Sequence, residues 1–167
     1  MKFHRNGACI ELELPGSVRK YPIRDFTPEF LRWQLEDRRS TFQEIAHRDI
    51  VPSFAAHLPV VTTVNCEGAV PSHTSTKGVG LLPKEDRLEY YCGLFKDLLG
   101  ESKERRVEVI QRFYNSDHIA TDKLGLLEIF RGTSFRNIQA NPLVSLQFTS
   151  PGPHYRSFQI NGIAEIV

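Results

Sequence analysis

Between Arg131 and Pro142 the chain reads Arg-Gly-Thr-Ser-Phe-Arg-Asn-Ile-Gln-Ala-Asn-Pro. Two guanidinium groups, Arg131 and Arg136, two hydroxyls, Thr133 and Ser134, and the flexible Gly132 fall within the first half of that stretch. Such a donor set suits a doubly charged phosphate. Arginine presents a planar fork of N–H groups, Ser and Thr add short hydroxyl donors, and glycine lets the backbone approach a ligand closely. Ser134 is also placed to cap a helix over Phe135 to Ala140, whose first amides would join the anion site. The same residues read equally well as a solvated turn followed by a surface helix with two ordinary arginines.

Other reactive residue types are scattered. His73, His118 and His154 are candidates for proton transfer because histidine titrates near neutrality, yet a lone histidine is more often structural or merely exposed. The three share no ligand spacing, so no metal site is expected. Cys9, Cys66 and Cys92 are odd in number and widely separated, which gives neither a disulfide framework nor a zinc signature. No Gly-x-Ser-x-Gly elbow is present. Catalytic residues are therefore not identified from the sequence, and an electron-accepting cofactor would make a protein nucleophile unnecessary.

The elements that must position the arginine loop follow from pattern. Leu124 to Phe130 reads as a strand that delivers Arg131 at its end. Asn141-Pro142 stops the short helix, Leu143 to Phe148 reads as a strand, Ser150-Pro151-Gly152-Pro153 as a turn, and Tyr155 to Val167 as a second strand. Upstream, residues 8 to 14 alternate apolar and polar side chains at Ile10, Glu11, Leu12, Glu13 and Leu14 until Pro15-Gly16 breaks the pattern. Thr27-Pro28-Glu29 is a helix start, with a hydroxyl cap, Pro at the first position and an acid in the first turn. Leu31, Leu35, Phe42, Ile45 and Ala46 then follow at helical spacing to about His47, with Trp33 off the stripe and a break near Ser40 open. Pro52 to His57 suits a short helical turn. Val60 to Val64 is strand-prone, Asn65-Cys66-Glu67-Gly68 is a turn, and Ala69 to Thr76 can return as its partner.

Residues 83 to 123 carry helical periodicity instead. Leu88, Tyr91, Cys92, Phe95, Leu98 and Leu99 mark one helix that stops at Gly100. A second runs from Ser102 to Tyr114 with Val107, Ile110, Phe113 and Tyr114 as its apolar face.

The order and spacing of Ser134 to Leu146, followed by Phe158 to Val167, resembles the pyridoxamine 5'-phosphate oxidase-like FMN-binding split-barrel family. Residues 126 to 167 carry the likeness, and residues 58 to 75 add to it weakly through Glu67-Gly68. The resemblance implies a mainly β, α+β fold: a small antiparallel split β-barrel with an N-terminal helix, here with a helical-hairpin insertion over residues 83–123. It further implies one domain over residues 1–167, a homodimer, and FMN bound at the subunit interface, with the isoalloxazine performing redox chemistry. Ser134 and Arg136 match the family's Ser-x-Lys/Arg phosphate contacts, Arg standing where Lys is common. Arg131, Thr133 and Asn137 are further cofactor contacts on this reading. Thr74, Ser75, Thr76 and Lys77 fall where the family contacts the flavin ring and ribityl chain. Two departures stand out, namely the insertion and the chain end at Val167, where relatives that oxidise a pyridoxal phosphate precursor continue. The expected function is a flavin-dependent oxidoreductase on an unidentified small molecule. Its rivals are a flavin- or haem-binding sensor of the same fold and a non-flavin interaction barrel.

The bulk numbers are compatible with these readings. A chain of 167 residues, 40% hydrophobic and 25% charged, is long enough to bury a substantial core. Its net charge of +1 argues against a broad nucleic-acid or membrane footprint, so any phosphate would be met locally. No stretch resembles a signal peptide or a membrane span, and the cysteine usage points to a reduced, cytoplasmic setting.

Overall fold

A computed structural model of the chain describes residues 2–47, 55–65, 71–150 and 155–167. The chain opens with a meander of β1 (Lys2–Asn6), β2 (Cys9–Leu14) and β3 (Ser17–Pro22), paired antiparallel in that order. Pro15-Gly16 is the turn between the last two, and Gly16 takes φ 77°, a left-handed conformation that costs a glycine little. Only β2 is legible in the sequence. It is the middle strand, and it buries Leu12 completely, whereas β1 and β3 are mostly exposed and show no apolar alternation.

Next comes α1 (Pro28–His47), one helix without a break at Ser40. Its first turn has the expected design, with the Phe30 amide donating to Thr27 Oγ1 at 3.3 Å. Its buried face does not. Among its described side chains, Phe30, Trp33, Gln34, Arg38 and Thr41 are buried, while Leu31, Leu35, Phe42 and Ile45 are only half-buried; the Ala46 side chain lies outside the described ones. The reason is that α1 lies between two cores. Phe30 and Trp33 enter the first, with Ala56, Val61, Val79, Leu146 and Phe148; Leu35 and Phe42 pack against the second, made of Leu81, Tyr91, Phe113, Tyr114 and Ile119. Trp33 therefore belongs to a core, stacked on Phe158 at 5.2 Å and edge-on to Phe148 at 5.9 Å. Each such aromatic pair contributes about 0.5–1.5 kcal/mol beyond its area burial.

After the turn at 55–57, the remaining chain runs β4 (Val60–Val64), β5 (Ser72–Thr76), β6 (Gly78–Pro83), a 3-10 turn (Glu85–Arg87), α2 (Leu88–Asp97), α3 (Lys103–Tyr114), β7 (Ile119–Leu127), α4 (Thr133–Ala140), β8 (Leu143–Ser150) and β9 (Arg156–Ile163). Strands β5-β4-β8-β9 form a four-stranded antiparallel sheet, and β6 pairs with β7 alone. The fold is thus α+β with antiparallel sheets, and among the described residues the ladders close no barrel. Only Lys77 separates β5 from β6, so the chain passes from one sheet to the next there, and Val79, Leu124 and Leu126 pack into the same core as Val61, Leu146 and Phe148.

The stretch expected to be an inserted helical hairpin is helical over a shorter span. Its last residues, from Ile119, already belong to β7, and Pro83 belongs to β6, a strand that Gly78-Val79-Gly80 conceals from a propensity reading. On α2 only Tyr91 and Leu98 of the expected apolar stripe are buried; Leu88, Cys92, Phe95 and Leu99 are exposed. On α3, Val107, Val109, Phe113 and Tyr114 are buried, and Ser102 caps the helix by accepting from the Arg105 amide at 3.2 Å. The pair is no surface decoration, since Tyr91, Phe113 and Tyr114 build the second core. Apart from Asn65 and Ser150 at their edges, the expected turns at Asn65-Cys66-Glu67-Gly68 and Ser150-Pro151-Gly152-Pro153 lie outside the described residues, as does part of the turn at 52–57. Among the described residues, no helix is long and apolar enough to cross a membrane.

Candidate anion and cofactor site

The arginine loop begins where β7 ends, at Leu127, three residues earlier than the apolar run suggests. Glu128 organises the start of this loop. Its carboxylate accepts from Lys77 Nζ at 2.5 Å and from the Phe130 amide at 3.1 Å, with the Gly132 amide a weaker favourable neighbour. Between those two amides Arg131 stands at φ 47°, a left-handed conformation that costs a non-glycine residue about 1–2 kcal/mol and persists where its surroundings hold it. Lys77 foremost, then the amides, keep the Glu128 carboxyl below its ordinary range. Lys77 and Glu128 are mostly buried, at 16% and 14% side-chain exposure, so this pair is less screened than a surface ion pair.

Helix α4 starts directly after the clamp. Gly132 occupies the cap position and Thr133 the first turn, so Ser134 is not the cap that its residue type suggests. Its hydroxyl turns toward the sheet instead, where it meets the Ser75 hydroxyl at 2.9 Å and is buried. Two hydroxyls in one hydrogen bond use one hydrogen and leave the other for a ligand. One turn on, Asn137 is buried and donates from Nδ2 to Thr63 Oγ1 at 3.1 Å; Thr63 in turn donates to the His73 carbonyl at 3.4 Å. This polar chain fastens α4 across β4 and β5, which gives Asn137 a structural reason for its burial.

The expected cofactor residues therefore divide. Ser75, Lys77, Ser134 and Asn137 converge around the start of α4 through these contacts. Arg131, Thr133 and Arg136 lie at the same end of α4, and all three are exposed. The Arg131 guanidinium lies 5.8 Å from the centre of the Phe135 ring, and Arg136 donates to Thr133 Oγ1 at 3.3 Å. Among the described residues no carboxylate forms an ion pair with either arginine. Thr74 and Thr76 do not join them. Side chains alternate along a strand, so these two point to the face opposite Ser75 and are exposed there, beside the polar ladder of Ser145, Gln159 and Asn161.

Beside the Lys77–Glu128 pair runs an open groove of about 570 Å³ whose floor is the β6–β7 ladder. Gly80 faces Gly125 across that ladder, and the Leu82 side chain lies over Gly125, where a Cβ would come within 2.8 Å of Leu82 Cδ2. Leu58 and Leu127 line its sides, and Ile129 and Phe130, 69% and 87% exposed, come next after Glu128 in the chain.

His57 lines the groove as well and is backed by Arg38, which sequence reasoning passes over. Arg38 is 1% exposed and donates to Gln34 Oε1, His57 Nδ1, the Ala56 carbonyl and the Val79 carbonyl at 2.9–3.0 Å. Because a guanidinium only donates, Nδ1 of His57 must be an acceptor and its proton sits on Nε2. Burial first, and the Arg38 charge second, push His57 down to about 4. Two polar residues one turn apart on the buried face of α1, Gln34 and Arg38, are the signal in the sequence that could have pointed to this centre.

Of the histidines considered for proton transfer, His73 lies half-buried on β5, His118 hydrogen-bonds Tyr91 Oη through Nδ1 at 2.8 Å, and His154 lies outside the described residues. Cys9 and Cys92 are free thiols, and Cys66 lies outside the described residues. In comparison with known proteins, no family model matches the chain, and neither a curated protein nor a solved structure shows significant similarity to it.

Proposed function

We propose that the chain is an FMN-binding flavoprotein of the split-barrel type, acting as a flavin-dependent oxidoreductase on a small molecule. The observation that supports this most is the Ser75–Ser134 contact. Two segments far apart in sequence, 74–77 and 131–137, each carry cofactor-binding residues on this reading, and they meet at 2.9 Å beside the N-terminus of α4. The terminal phosphate is held by Arg131, Arg136, Thr133, the unspent hydroxyl of the serine pair and Lys77. The isoalloxazine lies in the groove over Gly78 and Gly80, against the Leu82 and Leu127 side chains of the same ladder. Lys77 and Glu128 mark the junction between the two. Thr74 and Thr76, on the far face of β5, have no part in the binding site of the same chain.

Homodimerisation forms part of the proposal. Leu58, Leu127, Ile129 and Phe130 supply exposed apolar surface at the groove's edge, where a second copy would cover both the surface and the ring. The cofactor supplies the redox chemistry when bound, and the protein's part is to bind it, orient it and exclude water.

An absorbance spectrum of the purified protein, recorded before and after adding FMN and desalting, tests the reading. Retained flavin bands in stoichiometric amount support it. A colourless protein that retains none overturns it. Oxidation of a reduced nicotinamide by the flavin-loaded protein separates an oxidoreductase from a module that only stores or senses the flavin.

A further inference from the structure

The anion-binding end of the site already contains an anion. Lys77 Nζ and the Phe130 amide point at one spot, and the Glu128 carboxylate fills it. These are donors a phosphate would be expected to use: one partly buried ammonium and a backbone N–H two residues before Gly132, the cap residue of α4. Arg131 and Arg136, by contrast, hold no carboxylate among the described residues.

We infer that Glu128 is a built-in competitor: a phosphate-bearing ligand engages the loop by displacing the Glu128 carboxylate from Lys77 and the Phe130 amide, so this side chain sets the affinity of the site. The inference rests on the phosphate-binding reading under Proposed function. Three features of the geometry support it. First, the donors converge before any ligand arrives, so displacement exchanges one anion for another and leaves no buried ammonium unpaired. Second, Glu128 lies directly after the end of β7, so its side chain can swing out without disturbing the ladder. Third, a phosphate held only by Arg131, Arg136 and Thr133 would sit close to a second negative charge, and like charges at such range disfavour each other strongly. A ligand carrying two negative charges gains more from Lys77 than Glu128 does, whereas a singly charged ligand does not. Glu128 therefore selects for phosphomonoesters over carboxylates.

Binding of FMN, monitored by quenching of its fluorescence, is measured with the wild-type protein, Glu128→Gln and Arg136→Ala; inorganic phosphate and acetate serve as competitors. Glutamine keeps an oxygen that can accept from the Phe130 amide, so it preserves the loop and removes the charge alone. The expected result is FMN binding tightened about tenfold or more in Glu128→Gln, with acetate now competing. Equal or weaker binding in a folded Glu128→Gln, when the wild type binds FMN, overturns this inference and leaves the flavin reading intact. No binding of FMN or phosphate by either protein overturns both. If Glu128→Gln does not fold, the wild type decides: the carboxyl carbon resonance of Glu128 shifts on saturation with FMN if the side chain leaves Lys77, and an unmoved resonance overturns the inference.

Discussion

Two basic centres in this molecule invite comparison because both draw a cation away from bulk water, Arg38 fully and Lys77 in part, and only one has donors to spare. Around Arg38, three carbonyl-type oxygens and a ring nitrogen take up the guanidinium, and the group is shut between α1, the 55–57 turn and β6. Around Lys77, a single carboxylate takes up the ammonium at the rim of a groove, and the two arginines of the same loop hold no carboxylate among the described residues. A buried cation whose donors are matched to fixed backbone oxygens is part of the fold, because removing it orphans every acceptor at once. A cation balanced by one movable side chain can exchange that partner for a ligand. Residue type alone would have ranked the arginine as the anion binder.

The largest effect is expected from breaking the first centre. Arg38→Ala leaves Gln34 Oε1 and the Ala56 and Val79 carbonyls buried without their donor, and unfolding in denaturant should show a loss of about 3–5 kcal/mol. Arg38→Lys should recover only part of this, since an ammonium cannot reproduce the fork. A loss below about 1 kcal/mol would remove the distinction between the centres.

At the second centre the effect should fall on binding and leave stability nearly untouched. Arg136→Ala is expected to weaken FMN binding by about 1.5–3 kcal/mol, roughly ten- to hundredfold, through one lost charge-assisted contact. Its unfolding free energy should stay within about 0.5 kcal/mol of the wild type, as for other surface positions.

Acid sharpens the comparison further. In the folded protein His57 stays neutral down to about 4, while in the unfolded chain it takes up a proton near 6.5. Between those values the unfolded chain binds more protons, so stability falls as pH drops through the window and levels off below it. After discounting for the partial exposure of the ring, the loss should be about 1–2 kcal/mol. His57→Gln, whose side-chain oxygen can still accept from Arg38, should flatten that part of the pH profile. Glu128 acts lower on the scale: its depressed carboxyl stabilises the fold above its ordinary range, and that contribution is lost as pH falls through the folded value.

The smallest effect is expected at the serine pair. Ser75→Ala removes one neutral hydrogen bond and should cost about 0.5–1.5 kcal/mol of stability, with a measurable fall in FMN affinity. Thr76→Val, one residue away on the opposite face, should change neither.

What the sequence determined by itself was local. Thr27-Pro28-Glu29 and Ser102 announce helix starts because a cap is satisfied within one turn of its own chain. Val60 to Val64 and Leu143 to Phe148 announce strands because apolar β-prone residues cluster in them, and the polar loop at Arg131 to Arg136 is visible from composition. Whatever depends on a partner distant in the chain was decided by the tertiary structure. The buried side of α1 shifted from Leu31 and Leu35 to Phe30, Trp33 and Arg38, because two cores flank the helix and an arginine can be buried when fixed carbonyls await it. Strand β6 formed from a glycine-rich run because β7 was there to pair with it. The run Thr74 to Lys77 split between two faces because a strand alternates, and Ser134 turned from its helix end to Ser75 because β5 lay beneath it. Glu128 carries no signal in its own neighbourhood, since its role exists only where the end of β7, the start of β6 and the first turn of α4 come together.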